Sequence, residues 1–232
     1  MSIQDDKLYY MNTRVQELFD LGAQFGYSKT RRHSSVVPFI FTNKNRRDII
    51  DLEKTVGLIE EAEVFMKEMA ESGKTVLFVG TKPEIRDLLR ATAESVGMPY
   101  VDMRWVGGTL TNFSEIRKRA DRMLDLEYKR EHKELVFKTK KEGLMIDREI
   151  EKLNKNFGGI GQLKKLPDVM FVIDSLAEEI AVTEAGLLDI PVVALINTDC
   201  NIKKVNYPMV VNDTIRPSVK YILDIFKNIL KK

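Results

Sequence analysis

The chain has 232 residues, 44% of them hydrophobic, enough to bury a sizeable core in one large domain, and 37 basic against 35 acidic side chains leave a formal net charge of only +2. This excludes a disordered chain, but the near balance hides a separation: residues 28–47 hold six basic residues and no acidic one, while Leu166 to Ile202 hold seven acidic residues and no Lys or Arg. A single cysteine, Cys200, excludes an internal disulfide, no apolar run approaches the ~20 residues of a membrane-spanning helix, and Met1 to Asp6 lacks the basic and apolar regions of a secretory signal, so a soluble intracellular protein is expected.

Thr13-Arg14-Val15-Gln16 has capping-box spacing, and Val15, Leu18, Phe19 and Leu21 give an apolar helical face that stops at Gly22. Tyr27 to Ser35 is polar and basic without period, an exposed loop. Val36 to Phe41 and Asp48 to Leu52 then read as a hairpin joined by the basic turn Thr42 to Arg47. Lys29, Arg31, Arg32, Lys44, Arg46 and Arg47 have no carboxylate in this window to pair with, and Tyr27 and His33 offer planar groups for stacking on unpaired bases. Phosphate contact is therefore a better reading of these cations than a solvated surface.

Thr55 to Ser72 has helical spacing, and Thr75 to Val79 is the continuous apolar run of a strand covered on both faces. Gly80 to Glu84 turns into a helix with Pro83 in its first turn. Alternation resumes with a strand at Asp168 to Ile173, a helix at Leu176 to Leu187, a strand at Val192 to Ile196, a weaker one at Tyr207 to Val211, and a helix at Pro217 to Leu230. The expected fold is α/β, a doubly wound, flavodoxin-like parallel sheet.

Between these halves stands Arg104-Trp105-Val106-Gly107-Gly108-Thr109-Leu110-Thr111-Asn112-Phe113, a turn rich in glycine at the start of a long charged helix. Asn112 and Glu115 have capping-box spacing, which would leave the preceding amides and Arg104 beside a turn suited to phosphate; the competing reading makes Trp105 a core anchor and the glycines a change of direction. Phe113, Ile116, Ala120 and Met123, with Ile146, Ile150, Leu153 and Phe157, make a heptad seam on two helices expected to pair as an antiparallel coiled-coil hairpin, an arm on the order of 25 to 30 Å long. The domain division read from this is 1–111 with 158–232 for the sheet, and 112–157 for the projecting hairpin.

Catalytic readings are weak. Gly80-Thr81-Lys82 follows a strand where nucleotide-binding folds hold phosphate, but Gly73-Lys74-Thr75 precedes that strand and lacks the first glycine of a P-loop. Asp174 and Asp199, at or just past strand ends, could hold a cation or serve as acid and base, yet capping or solvation explains them better. His33, His132 and Cys200 assemble no zinc site or nucleophilic triad, and no cofactor is expected.

The decamer resembles the signature of the bacterial ribosomal small-subunit protein S-two family. Phe25-Gly26, Pro38 to Phe41, Ile49 to Thr55, Leu77 to Lys82, Phe157 to Ile160 and Phe171 to Asp174 recur in that family's order, so the resemblance runs from about Gln16 to the C-terminus. It implies a structural, non-catalytic protein of the small ribosomal subunit, in the cytoplasm or an organelle. Its implied partners are small-subunit rRNA and other ribosomal proteins, especially protein S-one, with no membrane and no small-molecule substrate. The RNA-contact residues then expected are Tyr27, Lys29, Arg31, Arg32, His33, Lys44, Asn45, Arg46, Arg47, Arg104, Trp105, Gly107, Gly108, Thr109, Thr111, Asn112, Arg117 and Lys118. The acidic stretch would face away from RNA, toward protein. The alternative is a flavodoxin-like nucleotide- or phosphate-binding enzyme using the Gly80 loop and Asp174.

Overall fold

Runs of apolar residues bounded by polar turns bury completely in the middle of the molecule. A computed structural model describes residues 13–135 and 139–231. Five parallel strands, β4 (Val76–Val79), β5 (Tyr100–Val101), β6 (Val169–Ile173), β7 (Val192–Ile196) and β8 (Tyr207–Val210), form a sheet in the order β5-β4-β6-β7-β8. Every residue of β4, β6 and β7 is buried, as the continuous apolar runs require. Ahead of the sheet lie a helix, α1, over residues 13–20, and three short antiparallel strands. These are β1 (Phe25–Ser28), β2 (Ile40–Lys44) and β3 (Arg47–Ile50), ordered β1-β3-β2.

Alternate strand residues point to opposite faces, so the sheet needs a layer on each. On one side Val76, Phe78, Val169, Phe171 and Val193 pack against α2 (Leu52–Glu71), α3 (Arg86–Ser95) and α7 (Arg216–Leu230), with Phe171 between Phe78 and Phe226 at ring separations of 5.2 and 5.1 Å. On the other side Leu77, Val79, Met170, Val172 and Ala194 pack against Ala181, Val182 and Ala185 of α6 (Glu179–Leu187). The same cluster takes in Trp105, Leu110, and Ile116, Ala120 and Met123 of α4 (Phe113–Glu131), together with Phe157 of α5 (Lys140–Phe157).

Helices α4 and α5 lie side by side, but their apolar seam is not self-contained. Arg117 donates to the carbonyls of Gly161 and Leu163 at 2.7 and 3.0 Å, while farther out Arg130 meets Asp147 at 2.9 Å, so the helices run in opposite directions. Near the sheet, their apolar residues complete the second layer.

Local boundaries differ where propensity misleads. Val36 to Phe39 belongs to a 3-10 helix, Ser34–Phe39, and only Ile40 onward is strand. The turn of the hairpin is two residues, Asn45 and Arg46, because Lys44 already pairs with Arg47. Pro83 stands in a turn three residues before α3 and not in its first turn. Asn112 does occupy the N-cap of α4, but its side chain makes no capping bond, and Glu115 pairs with Lys118 at 2.6 Å.

Candidate nucleic-acid interface and the carboxylates beside it

The glycine turn expected to receive phosphate already holds an anion of the protein's own. Glu184, buried on α6, accepts from Trp105 Nε1 at 3.0 Å, Gly108 N at 2.7 Å, Leu110 N at 2.9 Å, Thr111 N at 3.2 Å and Thr111 Oγ1 at 3.3 Å. Gly108 takes φ +88, a conformation that a side chain resists, and this lets successive amides converge. Burial alone would push the Glu184 carboxyl up, but the bonds from Trp105 and the three amides outweigh it and hold the group below the usual carboxylate range. Trp105 and Thr109 are buried, so this part of the decamer is an internal brace. Arg104, Gly107, Thr111 and Asn112 remain exposed along its rim.

The Gly80 loop is filled in the same manner. Glu178, at the N-cap of α6, accepts from Thr81 N at 2.8 Å and Thr81 Oγ1 at 2.6 Å. Lys82 lies between Asp174 at 2.6 Å and Asp213 at 2.9 Å. Although burial opposes its charge, Asp213 and Asp174 raise the Lys82 pKa above its ordinary value. Asp174 also caps its own turn, accepting from Leu176 N and Ala177 N. The places that phosphate would take in a nucleotide-binding protein are thus held by the chain's own carboxylates, and among the described residues no cluster of metal-ligating side chains occurs. This overturns the enzyme reading of the Gly80 loop.

These pairings also change the picture of the acidic stretch. Asp168 meets Lys74 at 3.1 Å, Glu179 meets Lys204 at 2.6 Å, and Asp199 meets Arg31 at 3.2 Å, so with Asp174, Glu178 and Glu184 most of its carboxylates are spent internally. The expected acidic face does not form. Besides Glu179 and Asp189, that region exposes apolar side chains: Leu176, Ile180 and Leu187, spaced four and seven residues apart, lie along one side of α6 and the turn before it.

The basic segment divides into braces and free cations. Arg32 donates from Nε and a terminal nitrogen to Asp48, each at 2.7 Å, and Asp48 is fully buried. That acid lies one residue beyond the acid-free window, which is why the sequence pattern counted Arg32 as unpartnered. His33 caps the 3-10 helix, its ring nitrogen accepting from Ser35 N, and its own N–H donates to Thr198 O at 2.9 Å. Arg117 is tied to Asp121 and the carbonyls of Gly161 and Leu163. Arg31 lays its guanidinium over the Tyr27 ring at 4.3 Å. Lys29, Lys44, Arg46 and Arg47 are exposed, and among the described residues they make no ion pair, as is true of Arg104. Asn45 and Arg46 have φ of 52 and 64 at the hairpin tip. Beside them a cleft lined by Tyr27, Arg31, Arg47 and Asn212 opens. Lys118, exposed on the first turns of α4, is paired among the described residues only with its neighbour Glu115.

Together these features define a flavodoxin-like α/β protein whose ligand loops are sealed by internal carboxylates and which presents a basic hairpin and a helical pair. The model of the family described as Ribosomal protein S2 matches residues 18–232. The chain belongs to the ribosomal protein S2 family of the small ribosomal subunit, and it is not an enzyme. It is similar to the small ribosomal subunit protein uS2 of Nocardia farcinica, 44% identical over 199 residues, which is 86% of this chain and 70% of that protein. The uS2 of two Dehalococcoides mccartyi strains is 39% identical over 210 residues, 90% of this chain and 86% of theirs.

Proposed function

We propose that this chain is a structural constituent of the small ribosomal subunit that binds rRNA through its basic hairpin and adjoining loop, in the cytoplasm of a bacterial cell. The observation that carries this is the set of free cations at the hairpin: Lys29, Lys44, Arg46 and Arg47 are exposed while the nearest acid, Asp48, is buried against Arg32. Arg46 adds to it. A two-residue turn with both positions left-handed favours Asn-Gly, and a side chain at the second costs on the order of 1 kcal/mol, yet here it is a cation. Asn45, Tyr27, Arg31, Arg104 and Lys118 extend the contact surface along both sides. Gly107, Thr111 and Asn112 supply the rim of the braced turn, and Arg32, His33, Trp105, Gly108, Thr109 and Arg117 position these residues from within.

Phosphate contacts release counterions, so affinity for small-subunit particles lacking this protein should fall steeply with salt. Replacing Lys29, Lys44, Arg46 and Arg47 by glutamine should reduce the log–log slope by about 3. An unchanged slope would sink the proposal. The helical pair and the apolar side of α6 fit a protein-facing role, and the partner favoured for it is protein S-one. Cross-links from Ile180 and Leu187 chiefly to rRNA would refute that assignment.

A further inference from the structure

β2 is an edge strand with a defect in its pairing. Ile40 faces Ile50 and Thr42 faces Ile49, so Phe41 is the extra residue of a β-bulge. Phe41 is 74% exposed and belongs to neither core cluster. Single exposed apolar side chains are ordinary on protein surfaces and mean little alone. What surrounds Phe41 sets it apart.

The backbone beneath it is fastened on both sides. Lys54 Nζ donates to Pro38 O at 2.7 Å, Asp51 N donates to Phe39 O at 2.9 Å, and Thr42, Asn43 and Lys44 continue the ladder with β3. With the backbone held, packing another surface on the ring costs only the ordering of its two side-chain torsions. Bulges re-aim a side chain, and this one leaves a large apolar group in water on the edge of a sheet. The electrostatic setting then selects the partner. Lys44, Arg46 and Arg47 stand at the end of the same strand pair, beginning about 10 Å from Phe41 at ~3.3 Å per residue. The one acid of the hairpin, Asp48, is buried and already paired to Arg32. An apolar protein surface placed on Phe41 would meet uncompensated positive charge. Single-stranded RNA brings both things the site lacks, a flat unpaired base and a negative backbone.

We propose that Phe41 is a stacking platform for an unpaired rRNA base, held beside phosphates gripped by Lys44, Arg46 and Arg47. This rests on the rRNA-binding reading of the hairpin and adds a base contact to it. Stacking accepts any base, so the contact fixes register on the RNA without choosing sequence.

The test uses the full chain and small-subunit particles lacking it. F41A should weaken binding about 10- to 100-fold while leaving the salt slope as in the parent, because a base is lost and no phosphate contact is. F41W should restore affinity and F41L should not, and the thermal unfolding of all three should match the parent since the ring is exposed. A photo-reactive phenylalanine analogue at position 41 should cross-link to rRNA. F41A binding within about twofold of a salt-dependent parent, F41L binding as well as F41W, or cross-linking to a ribosomal protein would each overturn the base contact and leave the phosphate contacts standing. A parent whose binding ignores salt would overturn both.

Discussion

Substituting Glu184 by glutamine tests whether the decamer is a brace or an open phosphate site. The carboxylate takes five donors from Trp105, Gly108, Leu110 and Thr111, and four of them sit within 3.2 Å. Glutamine keeps one acceptor oxygen and turns an NH2 toward either the Trp105 and Gly108 pair or the Leu110 and Thr111 group. At least two buried donors then face a donor, at roughly 1–3 kcal/mol each, so E184Q should cost about 4 kcal/mol. For a chain of this size that is a fall in Tm of roughly 8–16 °C. The assay is thermal and urea unfolding followed by fluorescence, for which the sequence supplies a convenient probe: Trp105 is the only tryptophan and its indole N–H is one of the five donors. The pH dependence adds a sign. Because the folded group sits below its usual range, its contribution is complete above the unfolded value near ~4.3 and is lost as pH falls through the folded value. The gap between parent and E184Q should therefore be widest at neutral pH and close in acid. If E184Q unfolds within about 1 kcal/mol of the parent with unaltered indole emission, the carboxylate is not what holds this loop.

K82M should cost about 3–5 kcal/mol, since it strands Asp174 and Asp213 without their cation, and the deficit should narrow in acid as burial favours the protonated form of Asp213. Equal stability of K82M and parent across pH would show that the buried carboxylates have other compensation. R46G should do opposite things to stability and binding: relief at φ 64 should add about 0.5–1 kcal/mol to unfolding free energy, while the lost cation should lower the salt slope by about 0.7–0.9. An R46G variant that is both less stable and equally well bound would refute the account of the tip.

Much of the sheet is legible because its signal is local. β4, β6 and β7 are unbroken apolar runs, and their burial follows from covering both faces. β5 and β8 lie at the sheet's edges, and β8 gives a weaker pattern, with Tyr207 and Pro208 only half-buried. Among the candidate site residues, the free cations of the hairpin tip were readable as charge without local acid. Their neighbours were not: Arg32 and Arg31 find Asp48 and Asp199, one just outside the charge window and the other on the far side of the chain. Glu184 is the clearest case of what stays hidden. It is 73 or more residues from each donor it binds, within a stretch that reads as a charged surface, and only the packing of α6 against the decamer brings them together. Phe41 stays hidden for a related reason: an apolar residue in a strand pattern reads as core, and no sequence period announces a bulge.

The limits of the helical pair follow from the same layering. Reading the seam alone, one would cut at 112 and 157 and expect the sheet to survive. In a doubly wound sheet, however, the crossover between β5 and β6 must supply cover for the face on which Leu77, Val79 and Met170 lie, and here that crossover is α4 and α5. Ile116, Ala120, Met123 and Phe157 do this, each at most 5% exposed. Removing three large side chains of this kind costs roughly 2–5 kcal/mol apiece, a sum comparable to the whole stability of a domain at about 5–15 kcal/mol. Replacing residues 112–157 by a Gly/Ser linker should therefore leave a chain without cooperative unfolding. Replacing only 128–146 should leave the sheet folded with near-parental cooperativity, because none of the described residues of that outer part belongs to either core cluster and closing a loop depends weakly on its length. Incorporation into small subunits should fall with the shorter deletion as well, if the outer half is the attachment. Circular dichroism and urea titration of the two deletions decide it: a folded 112–157 deletion would restore the boundary at the glycine pairs, and an unfolded 128–146 deletion would make the entire hairpin core.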